Sequence, residues 1–280
     1  MDSLKISLVC TVFNEAKTIT QFLESIDNQS RLPDEVVIVD GGSEDETFSK
    51  ILEFGSKEKR KLNLKVFVKK GNRSVGRNFA IEKAENDIIL SSDSGCILEK
   101  NWVKEIIKPF KDKKIDVIAG YYKGISKNIF QKSLIPYVLV MEDRIDEKEF
   151  LPATRSMAFR KTVWKKIGGF DKELSHNEDY AFANKIKKAD FKITFTKRAI
   201  VYWLPRKNLV QSFKMFFRFA LGDVQSKIFR PKVTFIFLRY ILIVYLSVLC
   251  FIEKSLPLYI FLLLGFLLYL GWSIWKNYAI

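Results

Sequence analysis

The chain has 280 residues, 48% of them hydrophobic, and its 47 Lys and Arg against 32 Asp and Glu give a formal charge of +15. That length holds one α/β domain plus an appendage. The charge admits nucleic acid, anionic lipid or an anionic substrate as partner, but no nucleic-acid motif and no basic stretch interleaved with base-stacking aromatics is present, so nucleic acid is not expected.

The run 6–12, Ile-Ser-Leu-Val-Cys-Thr-Val, is short, apolar and β-branched, as a buried strand is. The N-terminus runs straight into it with no visible signal peptide. Asn14 is placed to cap a helix whose apolar positions Ile19, Phe22, Leu23 and Ile26 have helical spacing. Pro33-Asp34 breaks the chain before a strand over 35–39. A helix over 44–54 with an acidic first turn, a strand over 64–68 and a helix over 74–85 follow. A strand over 87–93, a helix over 102–110 and a strand over 115–119 continue the alternation. This rhythm predicts an α/β fold with a mostly parallel central sheet covered on both faces.

Beyond Tyr122 the pattern loosens, and 124–151 reads as helix or loop. Residues 161–166 read as a helix stopped by Gly168-Gly169, 179–188 as another, and 191–195 and 199–203 as strands. Pro205 closes the soluble part, giving a first domain over 1–208. Residues 209–221 combine Phe213, Phe216, Phe217 and Phe219 with Lys214 and Arg218, which suits a helix lying in a bilayer surface; packing against a core is the competing reading. Segment 209–232 is thus a juxtamembrane piece.

Runs 233–252 and 256–275 are each about 20 residues long and nearly all apolar, enough to span a hydrocarbon core as a helix. Only Glu253-Lys254-Ser255 separates them, so 233–280 is expected to form a transmembrane hairpin. Lys227, Arg230, Lys232 and Lys276 flank its outer ends, which places both ends and the soluble domain on the cytoplasmic side. Arg239, about two turns in, is expected to snorkel, pack or meet an anionic lipid group. Cys10, Cys96 and Cys250 form no C-x-x-C pair and no His/Cys metal spacing, which fits a reducing compartment.

Chemistry-bearing residues gather at strand ends. Thr11, Phe13, Asn14 and Glu15 follow the first strand. Asp40-Gly41-Gly42-Ser43-Glu44-Asp45-Glu46-Thr47 follows the second, and this puts a carboxylate where open α/β sheets bind ligands. Arg73 and Arg77-Asn78 open the third helix, and Asp93 with Ser94 ends the fourth strand. Asp40 can accept an N–H from a uracil-like base. Arg77 can meet a pyrophosphate. Asp93 can hold a ribose hydroxyl or a divalent metal. Neither G-x-G-x-x-G nor G-x-x-x-x-G-K-[ST] occurs, which argues against Rossmann dinucleotide and P-loop sites. Downstream, Gly168-Gly169-Phe170-Asp171 precedes His176-Asn177-Glu178-Asp179-Tyr180. The acidic pair either complements a helix dipole or supplies a general base.

Taken in order, Thr11-Val12-Phe13-Asn14-Glu15, the Asp40 segment, Arg77-Asn78, Ser92-Asp93-Ser94-Gly95, Gly168-Gly169-Phe170-Asp171 and Glu178-Asp179 make the chain resemble a family 2 glycosyltransferase of GT-A fold with a C-terminal membrane anchor, over about residues 4–223. The resemblance implies inverting transfer from a nucleotide-diphospho-sugar. It implies Asp40 on the base, Arg77 near the pyrophosphate, and catalytic Glu178 and Asp179, with Asp179 the base. Thr11, Phe13, Glu15, Gly41 and Ser94 are implied at the nucleotide-sugar. It also implies Asp93 in the Asp-x-Asp role with Mg2+ or Mn2+.

Two departures qualify it. Gly95 stands where a second carboxylate is usual, which weakens a divalent site. The Gln-x-x-Arg-Trp motif of processive members is not intact in Met215-Phe216-Phe217-Arg218-Phe219. Single-sugar transfer to a lipid-linked acceptor, a polyprenyl phosphate or a lipid-linked saccharide, is therefore expected at the cytoplasmic membrane face. The alternative is a catalytically silent, membrane-anchored sugar-nucleotide-binding scaffold. His176, Arg155 near an acceptor-side loop and Arg206 after the last strand are weaker candidates; Trp102 and Trp164 read as packing residues.

Overall fold

The computed structural model describes residues 4–57, 61–228 and 231–278, with 231, 232 and 276–278 described by backbone alone. In chain order its elements are β1 (Ile6–Val12), α1 (Ile19–Asp27), β2 (Glu35–Asp40), α2 (Thr47–Gly55), β3 (Leu64–Val68), α3 (Arg73–Lys83), β4 (Ile88–Ser91), β5 (Cys96–Leu98) and α4 (Trp102–Ile107). There follow β6 (Val117–Gly124), α5 (Ile129–Val138), β7 (Met157–Arg160), α6 (Lys161–Lys166), α7 (Glu178–Lys188), β8 (Ile193–Trp203), α8 (Leu209–Gln225), α9 (Pro231–Glu253) and α10 (Leu256–Tyr278).

One sheet runs β3-β2-β1-β4-β7-β6-β8-β5. The first four strands in sequence pair in parallel, so the ends of β1, β2 and β4 open on one edge. The sheet is nevertheless mixed. β7 lies antiparallel between β4 and β6, and the three-residue β5 pairs antiparallel with β8, which is itself parallel to β6. Neither β5 nor β7 is foreshadowed by a periodic run in the sequence. The two short strands expected over 191–195 and 199–203 are one, accommodated by a register shift of β6 between Gly120 and Tyr121.

Alternate residues of β1 and β2 feed two cores, as the period of two requires. Leu8, Cys10, Val36 and Ile38 pack with Phe22, Ile51 and Trp102 on one face. Val9, Val37 and Val39 pack with Ile81, Val163, Phe170 and Phe182 on the other. Trp102 is fully buried and donates to Ser156 Oγ.

Two local expectations are corrected. α1 starts at Ile19 with Thr18 at its cap, not Asn14. Asn14 instead takes a left-handed conformation (φ 54°). Its N–H donates to Ser43 Oγ and its Oδ1 accepts the Glu44 N–H. The acidic residues Glu44, Asp45 and Glu46 precede α2 rather than forming its first turn; Asp45 Oδ1 accepts from the Thr47 N–H at 3.0 Å.

The chain divides into two compact units, Met1–Ser226 and Lys227–Ile280, so α8 packs with the α/β unit. In the second unit, Val233–Glu253 and Leu256–Trp275 are long and apolar enough to cross a membrane by length and composition, with mean hydropathies of 2.5 and 2.0. Arg239 lies over the rings of Tyr240 and Tyr269, at 4.9 and 5.1 Å. Of the flanking cations read from sequence, Arg230 lies outside the described residues, and the side chains of Lys232 and Lys276 do as well.

Candidate active site

Asp40 ends β2 and is buried. Its Oδ1 accepts from the N–H groups of Gly42 and Ser43, at 2.7 and 2.6 Å. Gly42 makes this turn at φ +99°, a conformation that a side chain would strain. Asp40 Oδ2 is buried and has no hydrogen-bond partner among the described residues. A buried acceptor left open costs free energy unless a ligand fills it. A base N–H is such a ligand.

Beside Asp40, Gly41 donates to the Val12 carbonyl and lies against the Phe13 ring, and Phe13 is 57% exposed. Glu15 follows, its N–H on Thr47 Oγ1 and its carboxylate accepting from Thr18. Thr11 touches α3, whose Gly76 has no room for a Cβ (Thr11 Cγ2 would be 2.8 Å away). The ends of β1 and β2 and the start of α3 are thereby packed into one wall.

Arg77 joins the other half. Its guanidinium is buried and donates to Glu178 Oε1 and, at 2.9 Å, to Asp93 Oδ1. These three residues come from α3, α7 and the turn after β4. Asn78 does the matching work on the loop between. Its side chain donates to the Phe170 carbonyl and accepts from the N–H of Phe170 and from Trp164 Nε1. Gly169, at φ +70°, would put a Cβ 2.6 Å from Asn78 Oδ1, so only glycine fits that clamp. The dipeptide Arg77-Asn78 thus fixes the Gly-Gly-Phe-Asp loop with one side chain and the Glu-Asp pair with the other.

The electrostatics separate the carboxylates. Burial would raise Asp93, but Arg77, Arg155 and Arg73 outweigh it and hold the carboxyl below the usual range. Asp179 goes the other way: burial and the neighbouring Glu178 charge raise it, against the pull of Arg77 and Arg155. A carboxylate raised in this way is a better proton acceptor at neutral pH. Among the described residues its Oδ1 accepts a local N–H alone, that of Tyr180, at 2.8 Å. Arg155 stands between the rings of Tyr122 and Trp203, at 5.5 and 5.3 Å.

Fit to a divalent ion is poor. Asp93 Oδ1 already accepts from Arg77 and from Thr154 Oγ1. A Cβ on Gly95 would meet nothing within 4 Å, so a carboxylate has space there, yet the chain supplies none. Among the described residues no group of three or more His, Cys, Asp or Glu can hold an ion. Ser94 is buried beside Asp93. Cys10 and Cys96 are free; burial drives the Cys10 thiol well up and pushes Cys96 up to about 12, so neither is a nucleophile.

Two features escaped the sequence reading. Asn177, in a left-handed conformation before α7 (φ 56°), donates to the Phe219 carbonyl and to Asp223 Oδ1 on α8. His176 packs against Gly222 of the same helix, and its Nδ1 is buried without a partner among the described residues. The only sequence signal was proximity to Glu178-Asp179; nothing linked that loop to residues 219–223.

The family model "Glycosyl transferase family 2" matches residues 7–168. The O-antigen chain rhamnosyltransferase RfbN of Salmonella typhimurium is 24% identical over 71% of this chain and 66% of its own length. The poly(ribitol-phosphate) β-N-acetylglucosaminyltransferase TarS of Staphylococcus aureus is 29% identical over 65% of this chain, which spans about a third (32%) of that protein. A crystal structure of TarS 1–349 in complex with UDP-GlcNAc superposes with a TM-score of 0.59 at 25% identity, covering 79% of this chain and 66% of that one. The mannosyltransferase PcManGT of Pyrobaculum calidifontis, solved with GDP-Man and Mn2+, shares the fold with a TM-score of 0.63 at 18% identity, over 79% and 62%.

Proposed function

The chain belongs to glycosyl transferase family 2, and we propose that it moves one sugar, with inversion, from a nucleotide-diphospho-sugar to a lipid-linked acceptor at the cytoplasmic face of a membrane. One observation carries this reading: Arg77 ties Glu178, the neighbour of Asp179, to Asp93 at the end of the parallel strands.

Asp40 takes the base N–H on its open oxygen, with Thr11, Phe13, Glu15 and Gly41 around the nucleoside. Asp93 and Ser94 face the ribose or the sugar. Asp179 takes the proton of the acceptor hydroxyl as its oxygen bonds the anomeric carbon, and the bond from that carbon to the diphosphate oxygen breaks. Glu178 pairs with Arg77, and its place beside Asp179 helps to raise that carboxyl. Arg77, with two nitrogens committed to carboxylates, supplies positive charge at the cleft and rigidity. The acceptor reading rests on the two candidate spanning helices and on the apolar exposed side of α8, where Leu209, Phe213 and Phe217 face outward. The hairpin anchors the chain with both ends cytoplasmic.

The purified 280-residue chain, in vesicles containing polyprenyl phosphate or lipid-linked saccharide, is to be given radiolabelled UDP- and GDP-sugars. Transfer to lipid that is lost in a folded Asp179→Asn variant is the expected result. Full activity of that variant would remove Asp179 as the base. Nucleotide binding without turnover on any donor or lipid extract would instead make the chain a silent sugar-nucleotide-binding scaffold.

A further inference from the structure

Arg73, Arg155, Arg206 and Arg218 form no ion pair among the described residues. Arg155 is held by two aromatic rings; the other three have no such partner among the described residues. Arg73 and Arg218 belong to elements that pack on the His176 loop. Arg73 opens α3, and its neighbours stitch that helix start to the segment just before His176: Asn72 donates to the Lys172 carbonyl at 2.6 Å and Ser74 to the Leu174 carbonyl at 3.3 Å. Arg218 lies one turn before Gly222, hence on the same side of α8. Gly222 is the residue that touches His176 and Asn177. Arg206 follows the end of β8, where Trp203 pairs with Cys96 directly after the Asp93–Gly95 turn.

The electrostatics agree with this placement. Burial, with Arg73, Arg218 and Arg155 nearby, pulls Arg206 below its ordinary value, and Glu15 alone opposes them. Burial together with Arg73 and Arg218 also depresses His176, which leaves a neutral ring whose buried Nδ1 is unpartnered. Exposed arginines gathered in excess of the carboxylates Glu15 and Asp93 around them attract an anion. Glu15, which follows β1 on the proposed nucleotide side, acts on Arg206, and Arg73 acts on Asp93. A nucleotide-sugar places its diphosphate beside its nucleoside.

We propose that Arg73, Arg206 and Arg218, with His176 among them, cradle the donor's diphosphate and neutralise it as the sugar leaves, in the place of a metal held by paired carboxylates. The proposal rests on the nucleotide-sugar reading above. It follows from the Asp93–Gly95 turn, which offers one carboxylate already bonded to Arg77. Guanidinium groups suit this work because they stay charged and give paired donors to phosphate oxygens.

The test is calorimetry on the full chain in detergent with UDP and GDP, in EDTA and then with Mn2+ or Mg2+. Diphosphate binding in EDTA within about threefold of that with metal is expected. Arg206→Gln and Arg218→Gln should each weaken the diphosphate about 10–100-fold, as loss of a charge-assisted bond does. The corresponding monophosphate should lose less, and the melting temperature should hold. Gly95→Asp, which meets no steric bar, should make binding rise with Mn2+. Binding abolished by EDTA and restored by Mn2+ in the unsubstituted chain overturns the proposal. So does unchanged diphosphate affinity in the arginine variants with loss of polyprenyl-phosphate binding, which would assign the cradle to the acceptor. Failure of any nucleotide to bind under either condition would instead remove the nucleotide-sugar reading itself.

Discussion

The side-chain amide of Asn177 donates to the Phe219 carbonyl at 3.1 Å, so α8 grips the residue immediately before Glu178-Asp179. The same amide reaches Asp223 Oδ1 at 2.7 Å, and Gly222 lets the two backbones close up. Asn177 is therefore placed to position Asp179, the base proposed above. Asn177→Gly keeps the left-handed backbone easily accessible but removes both bonds. It should lower kcat about tenfold with KM for the donor nearly unchanged, since only the orientation of Asp179 is loosened. Steady-state kinetics beside a melting curve checks this; a fall in melting temperature with kcat intact would leave Asn177 a purely structural link.

Burial and Glu178 both raise the Asp179 carboxyl, so its proton-accepting form is reached only above the ordinary carboxylate range. The acid limb of the kcat profile should sit correspondingly high. Glu178→Gln removes the like charge and frees Arg77 to attract Asp179, and both effects lower it. The limb should then move to lower pH, while the plateau falls because the Arg77 brace has lost one partner. A profile measured on both proteins decides it, and an unmoved limb would detach that titration from Asp179.

The parallel half of the fold was legible because β1, β2 and β4 are buried on both faces and read as apolar runs. The three-residue β5 and the four-residue β7 were not, since neither is long enough to show a period and both are made by partners distant in sequence. The same division holds at the site. Asp40, Arg77, Asp93 and Asp179 stand out as candidates from their places at element ends. That Arg77 would be divided between Asp93 and Glu178, 16 and 101 residues away, is a tertiary fact that no local pattern carries. Asn14 was misread because its side chain serves a loop across the site rather than the helix after it.

The open oxygen of Asp40 predicts its own test. In Asp40→Asn the amide oxygen can keep the Gly42 and Ser43 bonds, and the NH2 then faces the base where an acceptor stood. Donor set against donor should weaken the nucleoside diphosphate at least tenfold, about 1–3 kcal/mol, without loss of fold. Calorimetry with the free nucleotide reads this directly, and unchanged affinity would show that no base N–H meets that oxygen.

Glu35 makes a stability prediction away from the cleft. Its buried carboxylate meets Lys65 at 2.7 Å and the Glu85 N–H at 2.6 Å, and it also accepts from Ser7 and Asn86. Burial alone would raise the carboxyl, but Lys65, Ser7 and the Glu85 N–H together depress it. A depressed carboxyl stabilises above its unfolded value and loses that contribution as pH falls through the folded one. Glu35→Gln should cost about 1–3 kcal/mol near neutral pH. It should also flatten the loss of stability below the ordinary glutamate range. Thermal unfolding followed against pH tests both parts, and parallel curves for the two proteins would contradict the assignment.

α8 has two apolar sides. Met215 and Ser212 are buried and Phe219 is half-buried, and Gly222 seats against the His176 loop. Leu209, Phe213, Phe217 and Val224 recur at helical spacing and stay exposed, Phe213 by 72% and Phe217 by 62%. An aromatic stripe open to water, with Lys214 and Arg218 on the same helix, suits insertion among lipid headgroups. If that stripe brings the cleft to its acceptor, Phe213→Glu with Phe217→Glu should cut transfer to a lipid acceptor at least tenfold. Hydrolysis of the donor by water should be spared, because neither side chain touches the Asp40 or Arg77 groups. Parallel assays on one preparation separate the two activities. Equal loss of both would mean that these phenylalanines support the fold of the site, and equal retention that the acceptor reaches Asp179 without them.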